Sequence, residues 1–218
     1  MQDFELTDAI WRSRKTVLDM MEARNYITSA YRNHSPKEIT YMMGPLEGQG
    51  LRMDLPHKEG AKKCVVHYYL PKIKNKLKNY LEAMNDPEKA EYLNPETTEV
   101  IIMVTEPVVD TFHAAVLENY IKHRSRVFIF QIQTLVNNPS KHVLLRKADG
   151  SYNHEKVPAE DGAELMKKWY MKSKSQFPII RFHDDMQARY LGLVPGDIVK
   201  IVRPSLSAGE YTLYRVCV

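Results

Sequence analysis

The sequence predicts an α+β protein in two parts, an N-terminal α/β unit over 1–147 and a small mixed α/β unit over 148–218. Three observations predict it. Two apolar runs, 99–105 (EVIIMVT) and 126–132 (RVFIFQI), flank a segment whose apolar residues recur at helical spacing. That strand–helix–strand order implies a parallel pair with a right-handed crossover. The stretch 148–153 (ADGSYN) is rich in turn formers, so a boundary near residue 150 is expected. Beyond it the helix and strand patterns are shorter and end in an alternating run at 210–217.

Taken in order, 5–24 reads as a helix through Leu6, Ile10, Val17, Leu18 and Met21, with Trp11 beside them. Residues 33–62 are broken by Pro36, Gly44, Pro45, Gly48, Gly50, Pro56 and Gly60 and read as loops. The β-rich run 64–70 (CVVHYYL) reads as a strand. Pro71 is suited to open the next helix, because a first turn leaves its missing N–H unused. Leu70, Ile73, Leu77, Tyr80, Leu81 and Met84 then form the stripe of a basic helix over 71–84, with its lysines off the stripe. A buried strand at 99–105, a helix over 107–124 and a strand at 126–132 follow, and 142–146 reads as a further strand. In the second unit the pattern gives a helix over 159–174, a strand at 177–182, a short helix at 184–191 and strands at 197–203 and 210–217.

Composition narrows the class. Hydrophobic residues at 44% and charged residues at 27% are ordinary for a folded chain and argue against wholesale disorder. The longest apolar run, 100–104, is far short of the roughly 20 residues that span a bilayer. The first residues lack the basic and apolar regions of a secretory signal. Cys64 and Cys217 have no metal-type spacing and read as buried apolar residues. The expectation is a reduced, intracellular, soluble protein.

A net charge of +4 is too mild to imply nucleic-acid binding by itself. Its distribution is uneven: seven lysines against Glu59 alone over 57–78, then eight acidic residues against Lys89 over 79–110. The lysine cluster fits either a phosphate backbone or a solvated helix face. No zinc-finger, RNP or zipper pattern marks a reader module.

Catalytic motifs are largely absent from the sequence. His154-Glu155 opens a possible HExxH, but Pro158 stands where the second histidine belongs. His183-Asp184-Asp185 groups three polar residues, and an aspartate there reads as a helix N-cap. Phosphate-loop, dinucleotide and nucleophile-elbow patterns are absent. An Mg²⁺-dependent nuclease would need two carboxylates and usually a lysine on the central strand. The run 99–105 offers Glu99 only, at its start. Pro195-Gly196 is the central pair of a type II turn.

The tail carries a more specific pattern. Phe177-Pro178-Ile179-Ile180, Tyr190-Leu191-Gly192-Leu193, the run from Gly196 to Arg203, then Ser205, Gly209, Tyr211, Tyr214 and Arg215 occur in order, preceded by His154-Glu155-Lys156-Val157-Pro158. This resembles the fifth shared subunit of eukaryotic nuclear RNA polymerases, whose C-terminal domain corresponds to a small component of the archaeal RNA polymerase. Residues 9–28 and 128–144 resemble the N-terminal domain of the eukaryotic subunit, which the archaeal protein lacks.

The resemblance implies a nuclease-like α/β jaw domain without nuclease activity, followed by a small assembly domain. It implies a non-catalytic, structural subunit of DNA-directed RNA polymerase in the nucleus, with no cofactor and no metal. Its partners would be the largest subunit, other polymerase subunits and downstream duplex DNA read without sequence preference, rather than a membrane or a second copy. The docking residues expected are His154, Glu155, Val157, Pro158, Tyr190, Gly192, Gly196, Arg203, Ser205, Tyr211, Tyr214 and Arg215. Arg203 and Arg215 have two readings, pairing with acidic groups of a partner or internal packing and solvation. The residues expected to face nucleic acid are Pro139, Ser140, Lys141, His142, Lys72 and Lys76. Asp185-Met186 replaces the family's Asp-Pro step, 158–164 is shorter than usual, and 44–62 and 71–84 are longer. These departures suggest a divergent member, from a large DNA virus or an early-branching eukaryote. The competing readings are an independent DNA-binding regulator, an Mg²⁺-dependent nuclease, and an adaptor of some other complex.

Overall fold

In a computed structural model of the chain, the residues described are 3–44, 46–147 and 149–218. Pro45 of the expected loop and Ala148 of the expected boundary turn lie outside them. The chain divides into two compact units, Met1–Asn138 and Pro139–Val218. The boundary expected from the turn-rich stretch falls nine residues later than this one. The intervening segment keeps to the second unit because the Asn153 N–H and side-chain amide donate to the Leu145 and Leu144 carbonyls, both at 2.9 Å.

The first unit opens with α1 (Asp3–Ala23), whose Ile10, Val17, Leu18 and Met21 are buried as the periodicity requires. Arg14 is also buried in it, its Nη1 donating to the Leu51 carbonyl at 2.8 Å. The segment read as loops contains a helix, a 3₁₀ stretch (Leu46–Leu51) and a strand. Helix α2 (Pro36–Met43) starts on a capping box, with Ser35 and Glu38 closing each other's backbone N–H groups and Pro36 in the first turn. Pro36 therefore opens a helix rather than breaking one. Strand β1 (Met53–Pro56) pairs antiparallel with β2 (Lys63–Tyr69).

Strand β3 (Thr98–Val104) is buried at every residue and pairs parallel with β2 on one side and β4 (Arg126–Gln131) on the other. The order is β1-β2-β3-β4. Helices α3 (Leu77–Asn85) and α4 (Asp110–His123) make the two crossovers. A run apolar at nearly every position is what a central parallel strand, covered on both faces, demands.

Helix α3 begins six residues after Pro71, not at it. The Ile73 and Lys74 N–H groups are taken by the Glu106 carboxylate at 2.6 and 2.9 Å, so this backbone is held as a loop. Lys72 lies in that loop and Lys76 at the helix N-cap, both exposed. The expected basic helix over 71–84 is therefore a pinned loop followed by a shorter helix. Glu106→Ala should free this segment: hydrogen exchange at Ile73 and Lys74 is expected to accelerate by about tenfold or more. Global stability should fall by about 1–3 kcal/mol, the cost of stranding hydrogen-bonding groups.

The expected strand at 142–146 is a 3₁₀ turn, Val143–Leu145, with His142 as its cap. The His142 Nδ1 accepts from the Leu144 N–H at 3.3 Å, and the Arg146 N–H closes back on the Val143 carbonyl at 3.2 Å. These local bonds use the groups a strand would have offered.

In the second unit β5 (His154–Val157), β7 (Ile198–Ser205), β8 (Gly209–Cys217) and β6 (Ile179–Ile180) form a sheet in the order β5-β7-β8-β6. Helix α5 (Ala159–Lys168) and helix α6 (Met186–Leu191) complete it. His154-Glu155 thus lies on a strand and Pro158 caps α5, which disposes of the helical HExxH geometry. The Asp185 carboxylate caps α6 as expected, accepting from the Gln187 N–H at 2.7 Å and the Ala188 N–H at 3.4 Å. Both cysteines are free and buried. Among the described residues no helix is long and apolar enough to cross a membrane.

Candidate partner-docking and nucleic-acid-facing sites

Strand register sorts the expected docking residues into two sets. Opposed residues of an antiparallel pair share a face and alternate residues do not. Glu155, Lys200 and Tyr214 lie at one level across β5, β7 and β8, and Val157, Ile198 and Val216 lie at the next level on the same face. That face packs Phe177, Ile198 and Val216 against Leu165 and Met166 of α5. Glu155, Val157, Pro158 and Tyr214 border a cleft of about 240 Å³ beside this helix.

The opposite face carries His154, Ile201 and Leu213 at one level, Val199 and Arg215 at another, and Arg203 opposed to Tyr211 nearer the hairpin tip. Arg203 and Tyr211 are exposed. Leu206 stands fully in solvent in the turn beyond them. Ser205 shapes that turn, its hydroxyl accepting from the Ala208 N–H at 3.3 Å. Arg215 is half-buried: its Nη1 donates to the Ile179 carbonyl at 3.3 Å, and its buried Nε meets no acceptor among the described residues. In sequence Arg203 and Arg215 share the same two readings; the structure separates them.

Several expected docking residues serve the interior. His154 is buried and bonded through Nδ1 to the Asn153 side-chain oxygen at 2.6 Å. Tyr190 is buried against Tyr152, ring centroids 5.6 Å apart. Gly192 ends α6 at φ 66°. Gly196 takes φ 95° in the Pro195-Gly196 turn, and its N–H donates to the Cys217 carbonyl at 2.9 Å. His154, Tyr190 and Gly192 are buried, while Gly196 is half-buried in its turn, with open space beside its Cα.

The residues expected to face nucleic acid fall in separate units. Pro139, Ser140 and Lys141 form a 3₁₀ turn, with Lys141 and the adjoining His142 exposed. Val143 and Leu144 follow, both largely exposed, an apolar pair that the sequence pattern assigns to a strand. Lys72 and Lys76 belong to the first unit, which also holds a cleft of about 530 Å³ that Arg52, His67, Tyr69 and Tyr80 help to line and that neither lysine lines.

Glu99, the one carboxylate available to a nuclease site on β3, is not free to hold a metal. It is buried, ion-paired with Arg24, and accepts the Tyr26 hydroxyl at 3.1 Å. Among the described residues no three His, Cys, Asp or Glu side chains gather as a metal site.

Burial pushes two histidines, His67 and His154, down to about 4. For His67 the nearby Arg52 guanidinium adds to burial, and for His154 the Arg203 and Arg215 guanidinium groups do so against the pull of Asp185. Between pH 6.5 and about 4 the unfolded chain therefore binds more protons than the folded one. Stability should be full above about pH 6.5 and fall as pH drops toward about 4. In urea titrations the midpoint is expected to decline from about pH 7 to about pH 5. His67→Gln and His154→Gln should each remove part of the decline, and a midpoint that rose on acidification would contradict it.

Exposed residues of the second unit gather on a sheet face, a hairpin and short turns, and in the first unit the central-strand carboxylate is paired inside the fold. Comparison with known proteins gives the family. The family model for RNA polymerase Rpb5, C-terminal domain, matches residues 138–217. The chain is 31% identical to the DNA-directed RNA polymerases I, II, and III subunit rpabc1 of Dictyostelium discoideum over 208 residues, 94% of this chain and 95% of that one. It is 28% identical to subunit RPABC1 of the same polymerases from Caenorhabditis elegans and from Caenorhabditis briggsae, over 229 residues and 100% of both chains in each case. The chain belongs to the Rpb5 (RPABC1) family of RNA polymerase subunits.

Proposed function

We propose that this chain is a non-catalytic, structural subunit of a multisubunit DNA-directed RNA polymerase. Its second unit docks on the largest subunit, and its first unit forms part of the jaw around downstream duplex DNA. The observation that carries the docking is the β7–β8 hairpin, where Arg203, Tyr211 and Leu206 stand exposed. An aromatic and an arginine beside an apolar residue are the side chains that anchor protein interfaces. Contact with DNA would run through phosphates and weaken with salt, from Lys141 and His142 on the turn and Lys72 and Lys76 on the pinned loop.

The relatives come from cellular eukaryotes, so the nucleus is the compartment we propose, and nothing in them favours a viral source. The burial of Glu99 speaks against the nuclease alternative. An independent DNA-binding regulator would need a reader element, which the sequence lacks. The test is co-expression with the largest polymerase subunit of the source organism. Co-elution in equal amounts on gel filtration supports the docking, and separate elution overturns it.

A further inference from the structure

Helix α5 ends in an unusual way. The Tyr170 N–H donates to the Lys167 carbonyl at 3.1 Å and the Met171 N–H to the Met166 carbonyl at 2.9 Å, which closes the helix through a residue in the left-handed region. That residue is Tyr170, at φ 53°. Glycine normally fills this place, because a Cβ there crowds the backbone. Tyr170 accepts the strain and yet is 92% exposed, so its ring gives the fold nothing in return. Beside it Trp169 is 47% exposed, held edge-on by Tyr214 at 5.3 Å between centroids. Lys167, Lys168 and Lys172 flank the two residues in sequence, all exposed and without an ion pair among the described residues. Lys174 fixes the far side of the turn by donating to the Gly196 carbonyl at 2.7 Å. No acidic residue occurs between Glu164 and Asp184.

We propose that this turn is a binding platform for single-stranded nucleic acid, with Tyr170 and Trp169 stacking on bases and Lys167, Lys168 and Lys172 meeting phosphates. An acidic peptide would use the lysines but gain nothing from a strained, solvent-facing ring. A duplex would keep its base faces hidden. Unpaired bases use both features. The inference rests on this turn alone and stands apart from the subunit reading.

The test is fluorescence anisotropy of the full chain with a labelled single strand of about 12 nucleotides, as DNA and as RNA, over a salt series. Tyr170→Gly is expected to weaken binding by about 5- to 100-fold. Its melting temperature should hold or rise, because glycine relieves the strained turn, and a structural role would not give that combination. Tyr170→Phe should bind like the parent. Replacing Lys167, Lys168 and Lys172 together by serine should reduce the slope of log affinity against log salt by about 2, at about 0.7 per phosphate contact. The proposal is overturned if the parent does not bind, if Tyr170→Gly binds as tightly as the parent, or if poly-glutamate or a duplex of equal length competes as well as the single strand.

Discussion

Arg24→Ala is expected to cost the first unit about 3–5 kcal/mol, because it leaves the Glu99 carboxylate buried without its counter-charge. Both side chains are nearly excluded from water, at 11% and 7% exposure. Tyr26 alone would then hold the carboxylate through one hydrogen bond. At this chain length a loss of that size lowers the melting temperature by about 10 °C or more. Glu99→Gln placed in the same background should recover much of the loss, since it removes the stranded charge. Replacing both members with apolar residues of similar volume should cost little. The same cycle bears on function: Glu99 closes a structural pair at the start of β3, so Glu99→Gln should alter stability and leave nucleic-acid behaviour unchanged. A stability loss below about 1 kcal/mol for Arg24→Ala would mean that the pair is solvated rather than buried.

Arg203→Glu together with Arg215→Glu is expected to reduce assembly with the largest polymerase subunit by about 100-fold or more, since like charges brought together across an interface cost several kcal/mol. The two positions do not carry equal meaning. Arg203 is exposed opposite Tyr211, and its single reversal should leave the melting temperature unchanged. Arg215 also donates to the Ile179 carbonyl, so its reversal should cost the isolated chain about 1 kcal/mol as well. Arg203→Glu alone therefore separates docking from folding. An unchanged affinity for Arg203→Glu would remove the hairpin from the docking surface.

Much of the architecture is written in local pattern. The apolar run at 99–105 announces a central parallel strand because burial on both faces leaves no room for alternation. The alternation at 210–217 announces a strand with two different faces, and Asp185 announces the cap it forms. Other features depend on partners far away in sequence. Glu106 takes the N–H groups of residues 33 and 32 positions earlier and so turns the start of an expected helix into a loop. Arg24 and Glu99 lie 75 positions apart. No local window contains either pair.

Helix α2 is a different case. Its capping box, Ser35 with Glu38 around Pro36, is a local signal, but the prolines and glycines around it read as breakers and mask it. For the candidate site the order of residues in the tail resembles the family closely, but membership of a pattern does not tell a contact residue from a shaping one. His154 and Tyr190 are buried, and Gly192 and Gly196 take positive φ in turns, while Arg203 and Tyr211 of the same pattern are exposed. Only the register of β5, β7 and β8 shows that Arg203 and Tyr211 share one face while Glu155 and Tyr214 share the other.

A chain of this family should work as a subunit of an RNA polymerase. The most direct measurement is a pull-down of the tagged full-length chain from its native source at about 0.3 M salt, where loose electrostatic contacts are screened, with every co-purifying chain identified by mass. Two very large chains in equal amount with this one are expected, together with DNA-directed RNA synthesis. Recovery of the chain alone, or with nucleic acid and no large chains, would contradict it.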